Sequence, residues 1–383
     1  MTPVASPRGL SLDTGGKGAY QTPQCSNKDA LDDRDEQDGS ADNAAMTLRI
    51  ACFGELLLRL SPPGRERLLQ SPRLDVHVGG AEANVAVSLA RFGHDARMVS
   101  VVPGNALGDA AIAELRRQGV DATRVARGDG RMGLYFLEPG AGQRAGIVTY
   151  DRADSAFARA RPDAWDWPAL LAGANALHLS GITPALGAAG AAAARAAASA
   201  AAMLGLAISF DGNFRPALWR AWNGDPRALL PPVAAHARTL FADPRDVALL
   251  TGTPEPGGDP VAAIEAAARA AFAAFAPLER FATTIRVAHS ADLQELSAVC
   301  VTRKQTFTAP ARAVGPIVDR IGGGDAFAAG LLHAHASGAG EEEALRFALA
   351  AACLKHSIPG DANLASAAEV QALLEEPQRD VRR

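Results

Sequence analysis

The sequence predicts an α/β protein with a doubly wound, mostly parallel sheet and helices on both faces. Short apolar strands alternate with helical stretches along most of the chain, which is typical of parallel strands joined by helical crossovers. Hydrophobic residues make up 48% of the 383 residues, enough for a large core. Two segments, at about residues 54–78 and 132–150, break the alternation and are predicted to form a small β-sheet lid.

The predicted elements of the first half follow from apolar spacing. Val85, Leu89 and Phe92 recur at helical intervals in 79–93, and Gly93 ends that helix. The other elements of this half are a strand-like apolar run at 50–60, a strand at 96–102, a helix at 108–120, and a hairpin of 132–138 with 145–151.

The second half repeats the pattern with short buried strands. Strands are predicted at 176–181, 207–213, 238–243, 281–290 and 296–302. Helices are predicted at 188–203, where alanine dominates, and at 325–337 and 341–355.

The two ends of the chain differ from the rest. Residues 1–45 are rich in Gly, Ser, Asp, Asn and Gln and carry too little apolar surface to offset the entropy of ordering. We predict a disordered N-terminal extension at 1–46, one folded domain at 47–375 and a disordered C-terminal tail at 376–383.

Composition excludes several classes of function. A net charge of −4 offers no basic surface for nucleic acid. The four cysteines lie far apart in sequence and form no C-x-x-C pair. We therefore expect no disulfide framework and no zinc site. The N-terminus has no apolar h-region, so we expect no secretory signal, and no apolar run reaches the roughly 18 residues needed to cross a membrane. We therefore expect a cytoplasmic protein without membrane contact, and we expect a homo-oligomer.

One motif, DRIGGGDAFAAG at 319–330, indicates chemistry. Glycines at a helix N-terminus can bring backbone N–H groups close to an anion such as phosphate. A phosphate-binding P-loop would continue with lysine, but the next residue is Asp325, which could accept a proton from an attacking hydroxyl. The alternative is a glycine-rich turn whose aspartate only caps the helix. The motif alone does not separate these interpretations.

The rest of the chain favours the first interpretation. GGAEANVAVSLARFG (79–93) resembles the N-terminal signature of the ribokinase-like (PfkB) sugar kinases, and DRIGGGDAFAAGLLHA (319–334) resembles their C-terminal signature. Further stretches resemble the subgroup that phosphorylates 2-keto-3-deoxygluconate: GELLLRLSPPGRERLLQSP (54–72), GLYFLEPGAGQRAGIVTYDRADSA (133–156), HLSGITPAL (178–186), SFDGNFRPALW (209–219), TTIRVAHSAD (283–292) and CLKHSIPGDANL (353–364). The resemblance covers about residues 47–375.

The resemblance implies roles for individual residues. Asp325 would be the catalytic base, and Gly322, Gly323 and Gly324 would form the anion hole. The contacts implied for the sugar acid come from Gly79, Gly80, Glu82, Asn84, Tyr135, Tyr150, Arg152, Arg215 and Asp361. The two arginines among them would bind the carboxylate of the substrate, because a guanidinium pairs with a carboxylate through two hydrogen bonds.

The resemblance also implies a nucleotide site. Asn213, Thr284, Arg286 and Ser290 are the implied contacts of ATP. Mg²⁺ is expected with ATP, and K⁺ is a further candidate cofactor. The stretch that usually lies near the metal departs from the family pattern here, where it reads LFADPRDVALLTG, so Asp243 and Asp246 are only candidate metal ligands.

The implied activity is phosphorylation of 2-dehydro-3-deoxy-D-gluconate to its 6-phosphate. Alternatives are a fructokinase, a ribokinase or a keto-deoxygalactonate kinase of the same family, and a non-catalytic relative that binds sugar. A nicotinamide-dependent dehydrogenase would need G-x-G-x-x-G after the first strand, and FGELLLRL provides a single glycine.

Overall fold

The computed structural model describes residues 47–375. Its strands are β1 (Arg49–Phe53), β2 (Leu57–Ser61), β3 (Asp75–Gly79), β4 (Asp95–Pro103), β5 (Asp121–Gly128), β6 (Gly133–Glu138), β7 (Ile147–Asp151), β8 (Ala176–Ser180), β9 (Ala207–Asp211), β10 (Thr239–Phe241), β11 (Arg280–Ala288), β12 (Gln294–Thr302) and β13 (Thr306–Val314). Its helices are α1 (Ala81–Arg91), α2 (Ala106–Arg117), α3 (Trp167–Leu170), α4 (Ala188–Met203), α5 (Pro216–Ala221), α6 (Pro226–Leu229), α7 (Pro231–Ala234), α8 (Pro244–Thr251), α9 (Pro260–Ala274), α10 (Gly323–Ala336), α11 (Glu341–Lys355) and α12 (Ala367–Glu375). The disorder predicted for 1–46 and 376–383 lies outside the described residues.

Nine strands form the main sheet in the order β13-β12-β11-β10-β9-β8-β1-β4-β5. Neighbours from β11 to β5 are parallel, and β12 and β13 add an antiparallel edge. The chain leaves the central β1 toward β4 and β5 and later returns to build the other side through β8. The predicted doubly wound, mostly parallel sheet is therefore confirmed. In such sheets ligands bind beyond the carboxyl ends of the strands, near the point where the strand order reverses.

Helices cover both faces of this sheet, as predicted. In β1, Ile50 and Cys52 pack into one apolar core with residues of α1, α10 and α11. The alternate residues Ala51 and Phe53 pack into a second core with residues of α4 and α9. Successive side chains of a strand point to opposite faces, so a strand buried on both faces is apolar throughout.

A second sheet of four strands has the order β3-β2-β6-β7. β6 and β7 are antiparallel, which confirms the predicted hairpin, and β2 pairs with β6 in parallel. The apolar run 50–60 is divided between β1 of the main sheet and β2 of this smaller one. The chain turns between them at Gly54, where an added side chain would overlap the carboxylate of Glu82.

Most predicted helices are confirmed, and α4 has the predicted bounds. α10 begins at Gly323, two residues before the predicted start. β5 and β13 were not predicted, because both are edge strands with many exposed side chains and show little apolar signal. Among the described residues, no helix is both long and apolar enough to cross a bilayer.

Candidate active site

A cleft of about 1260 Å³ lies beside the carboxyl ends of the main-sheet strands, with the four-stranded sheet along another wall. This volume exceeds the roughly 300–1,000 Å³ typical of a site for one small ligand, so two substrates can lie side by side. The predicted residues that line it are Gly80, Asn84, Tyr135, Tyr150, Arg152, Asn213, Arg215, Asp243, Asp246, Thr284, Arg286, Gly322, Gly323, Gly324, Asp325 and Asp361.

The glycine turn, which we define as Gly322–Gly324, forms the N-terminus of α10 on the cleft wall. Gly322 is the N-cap with φ of 81°, and a Cβ there would overlap the carbonyl oxygen of Asp361. Only glycine satisfies both conditions. The first amide groups of a helix have no partner within it and carry the positive end of the helix dipole. The turn therefore offers N–H donors to an anion in the cleft.

The other two glycines of the turn differ in their surroundings. A Cβ on Gly323 would lie 2.8 Å from Cε1 of His356, within the protein. A Cβ on Gly324 would meet no heavy atom within 4 Å. Within the turn, Gly324 is therefore the residue whose Cα borders open space.

Asp325 lies in the first turn of α10, where Asn84 Nδ2 donates a hydrogen bond of 2.7 Å to its Oδ2. Removal from water raises the pKa of Asp325 to about 7, although the bond from Asn84 opposes this shift and the Asp361 and Glu82 carboxylates add to it. A carboxyl group with a pKa near neutrality is well matched to accept a proton from a hydroxyl. Asn84 fixes one oxygen of the carboxylate and leaves the other for a substrate.

Acidic groups cluster at the end of β9. Burial raises the pKa of Asp211 well above its usual range, and repulsion from Asp325 and Asp246 adds to the effect. Burial also raises the pKa of Asp246 to about 6, with Asp243 as the next cause. A bound cation would reduce the electrostatic repulsion between carboxylates that lie close together in a cleft.

The two candidate metal ligands already have a structural role, because Asp243 and Asp246 form a capping box at the start of α8. Oδ1 of Asp246 is nevertheless buried without a hydrogen-bond partner in the described chain. No group of three or more acidic, histidine or cysteine side chains in residues 47–375 is arranged to hold a metal.

Asp361 lies in a buried network on another wall of the cleft. The hydroxyl of Tyr135 donates a 2.7 Å hydrogen bond to Asp361 Oδ2. Arg59, which is 2% exposed, pairs with Asp361 at 3.0 Å and with Asp319 at 2.6 Å. Burial raises the pKa of Asp361, while the positive charge of Arg59 and the bond from Tyr135 oppose that shift.

The two arginines predicted to bind a carboxylate differ in their surroundings. Arg152 is buried and pairs with Glu55, with 2.7 Å from Nε to Oε2. Arg215 is exposed in the cleft, donates to the carbonyl oxygen of Phe214, and has no ion pair with any described residue. Arg215 therefore has a free guanidinium edge for a substrate, whereas Arg152 would share its charge with Glu55.

Three predicted residues do not line the cleft. Glu82 is fully buried and accepts hydrogen bonds from Ser180 and Thr183. Gly79 lies behind Asp361, whose carboxylate a side chain there would overlap. Ser290 closes a turn, because its hydroxyl oxygen accepts from the backbone of residues 292 and 293.

Of the residues predicted to contact ATP, Thr284 and Arg286 lie on β11 and line the cleft. Asn213 follows β9 in a left-handed conformation with φ of 43°, and its amide donates to Asp211 at 3.2 Å. Left-handed backbone is uncommon outside glycine and often occurs at functional sites.

Four charged residues of the site were not predicted from the sequence: Asp211, Arg59, Asp319 and Glu55. Asp211 ends a parallel strand within a stretch that was singled out, so its position could have indicated a functional role. Asp319 precedes the glycine turn by three residues. Arg59 and Glu55 lie in an otherwise apolar run, where an isolated charge often indicates a buried ion pair.

A helix N-terminus with backbone N–H donors, a neighbouring carboxyl group and a cleft of this size are the features expected of a phosphoryl-transfer enzyme. The chain belongs to the pfkB family of carbohydrate kinases, whose profile matches residues 47–367. It is a carbohydrate kinase, and family membership implies ATP as the phosphoryl donor. The family predicted from the two signatures is thereby confirmed.

Relatives with more specific names are also similar to the chain. A 2-dehydro-3-deoxygalactonokinase of Haloferax volcanii is 33% identical over 86% of this chain and 97% of its own length. A 2-dehydro-3-deoxygluconokinase of Bacillus subtilis is 27% identical over 82% and 92%. The crystal structure of 2-dehydro-3-deoxygluconokinase from Thermotoga maritima superposes with a TM-score of 0.82, at 36% identity over 86% of this chain and 99% of that one.

Proposed function

We propose that the protein phosphorylates the 6-hydroxyl of 2-dehydro-3-deoxy-D-gluconate, with ATP as donor. The observation that carries this proposal is Asp325, a carboxyl group with a pKa of about 7 that Asn84 holds beside the glycine turn. Asp325 accepts the proton of the hydroxyl as its oxygen attacks the γ-phosphorus. The bond from that phosphorus to the bridging oxygen breaks, and ADP leaves. The N–H groups of Gly322–Gly324 stabilise the charge on the transferring group.

A free arginine supports an acidic acceptor. Arg215 has an unpaired guanidinium in the cleft, and a guanidinium binds a carboxylate through two parallel hydrogen bonds. Tyr150, which lies opposite Tyr135 in the β6–β7 pair, and Arg152 also line the cleft and would be further polar contacts of the sugar. The names of the relatives from Haloferax volcanii, Bacillus subtilis and Thermotoga maritima all refer to sugar acids of this type.

We propose that ATP occupies the side of the cleft formed by Asn213, Thr284 and Arg286, so that its γ-phosphate reaches the glycine turn. Mg²⁺ would be held by Asp246 and Asp211 together with the phosphates. It would supply positive charge that neutralises the phosphate oxygens.

The substrate is tested with a panel of sugars. ADP release is measured with 2-dehydro-3-deoxygluconate, its 4-epimer 2-dehydro-3-deoxygalactonate, fructose and ribose, and phosphorus NMR identifies the phosphorylated position. We expect the highest kcat/KM for 2-dehydro-3-deoxygluconate. A preference for the 4-epimer would favour the activity named for the Haloferax volcanii relative. A preference for fructose or ribose would contradict the assignment of a sugar acid.

A further inference from the structure

Lys355, the last residue of α11, has 0% of its surface exposed. A buried ammonium group costs free energy unless polar partners replace water. Nζ of Lys355 donates a 2.9 Å hydrogen bond to the carbonyl oxygen of Ile358, in the loop that follows α11. Lys355 does not line the cleft, and so the proposed substrates would not touch it.

Three carboxylates lie near enough to attract the charge of this ammonium. Burial lowers the pKa of Lys355 to about 8, while attraction from Asp319, Asp361 and Asp325 opposes the shift and Arg59 adds to it. The group is therefore mainly an ammonium at neutral pH. His77 and His356 also face Lys355, and its charge lowers the pKa of each of them, although burial is the larger cause in both cases.

The side chain of Lys355 passes directly behind the glycine turn. Its Cε lies 3.3 Å from the position that a Cβ on Gly322 would take. The carbonyl group of Asp361 closes the same space from another side. The backbone of Gly322 is thus packed between the lysine stem and the loop to which the ammonium is hydrogen-bonded.

We propose that Lys355 is a positioning residue that supplies a built-in positive charge behind the glycine turn at neutral pH, so that this kinase needs no K⁺ or other monovalent metal ion there. Carbonyl oxygens are ligands that such an ion would bind, and here the ammonium donates to the carbonyl oxygen of Ile358 in the place of a metal ion. The charge adds to the positive end of α10 where the transferring phosphoryl group would lie. It also ties the loop at Ile358 to the turn.

This inference rests on the roles proposed above for the glycine turn and Asp325, and its first test uses the unmodified protein. Turnover is measured in chloride salts of K⁺, Na⁺ and choline at equal ionic strength, with the acceptor that gives the highest rate. We expect equal rates. A large stimulation by K⁺ over choline would overturn the proposal.

The second test removes the lysine. Lys355→Met keeps much of the apolar stem and loses the charge, and we expect kcat to fall by about 10²-fold with little change in either KM, because a small misplacement of a reacting group costs about that much. In Lys355→Ala, methylammonium or K⁺ should recover part of the lost rate. The matched control is Lys304→Met, which alters an exposed lysine in the turn between β12 and β13 and should change nothing.

A third measurement needs no acceptor and separates this inference from the proposed function. The vacated site in Lys355→Ala should bind a small cation, so its Tm should rise in methylammonium chloride relative to choline chloride, while the Tm of the unmodified protein should not. Absence of that rise, or wild-type kcat in Lys355→Met, would contradict the role of Lys355. Failure of every sugar in the panel would instead contradict the proposed function.

Discussion

Asp361 and Asp325 lie in the same cleft, but their carboxyl groups have different hydrogen-bonding and charged partners. Burial raises the pKa of Asp361, while the ion pair with Arg59 and the hydrogen bond donated by Tyr135 oppose that shift and hold the carboxyl group in place. Burial raises the pKa of Asp325 and nearby carboxylates add to the shift, while its neutral partner Asn84 and the charge of Arg215 oppose it. Different surroundings of this kind are how proteins assign separate roles to chemically identical side chains.

The shifted pKa of Asp325 predicts the pH dependence of the reaction. The pKa is raised to about 7, so the protonated form dominates below that pH and cannot accept a proton. We expect kcat/KM to fall by about tenfold per unit of pH below about 7, because kcat/KM follows the ionisation of the free enzyme. The measurement is kcat/KM from pH 5.5 to 8.5, with the coupling enzymes in excess at each pH.

Asn84→Ala is the matched variant for this profile. It removes the hydrogen bond that stabilises the carboxylate form, so the acidic limb should move to higher pH. A profile of the unmodified enzyme that stays flat down to pH 5.5 would be incompatible with Asp325 as a base of this pKa.

Recognition of the acid group is predicted to depend on Arg215. A bidentate contact between charged groups contributes about 1.5–3 kcal/mol, so Arg215→Met should lower kcat/KM for the sugar acid by roughly 10–150-fold. A neutral sugar such as fructose should be nearly unaffected. Equal losses for both substrates would argue against this role. Arg152→Met is a less specific test, because it would also leave Glu55 buried and unpaired.

At the scale of elements, the glycine turn combines a fixed backbone with open space. Gly324→Ala places a methyl group where no atom lies within 4 Å, so the fold should be retained while turnover drops. Gly322→Ala forces a side chain into φ of 81° and into the carbonyl oxygen of Asp361, so it should lower the Tm. The two variants are compared by kcat and by thermal melting. Unchanged turnover in Gly324→Ala would mean that phosphate does not approach the turn at this residue.

Elements of the fold that have a strong periodic hydrophobic pattern could be predicted from the sequence, and elements without such a pattern could not. The alanine-rich segment that became α4 and the strands buried on both faces have strong periodic signals. The division of residues 50–60 between two sheets has no such signal, because it depends on the close approach of Gly54 to Glu82 from a distant part of the chain. The edge strands β5 and β13 likewise have too few buried side chains to stand out.

At the scale of the whole domain, Arg59 joins parts that are far apart in sequence. It lies on β2 of the small sheet, yet it pairs with Asp319 before the glycine turn and with Asp361 after α11. Burial alone would lower the pKa of Arg59, but the attraction of Asp361 and Asp319 is stronger and raises the pKa above its usual value. The small sheet and the anion-binding end of α10 are thereby held together by one buried cation.

Loss of that cation should destabilise the domain. Arg59→Met leaves two carboxylates buried without their partner, and breaking a buried ion pair in this way costs about 3–5 kcal/mol. The free energy of unfolding is measured by urea denaturation. The matched control is Arg73→Met, since Arg73 is exposed and its nearest carboxylate, Asp75, lies 3.8 Å away. Equal stability of the two variants would show that the Arg59 network contributes little.

Only those residues of the candidate site that lie within short sequence signatures could be predicted. The glycine turn, Asp325 and Asn84 lie within short signatures, and the structure brings them together across 241 residues of sequence. The pairing of Arg152 with Glu55 and the burial of Glu82 depend on which side chains meet in three dimensions. The sequence therefore indicated Arg152 and Glu82, but neither the ion-pair partner of Arg152 nor the burial of Glu82.

The most direct test of Asp325 as the base is the Asp325→Asn variant. This change keeps the shape of the side chain and removes its ability to accept a proton, and loss of a general base typically lowers the rate by about 10²–10⁴-fold. We expect kcat to fall within that range while the Kd for ATP, measured by calorimetry, stays close to that of the unmodified protein. Turnover close to that of the unmodified protein would contradict the assignment of Asp325.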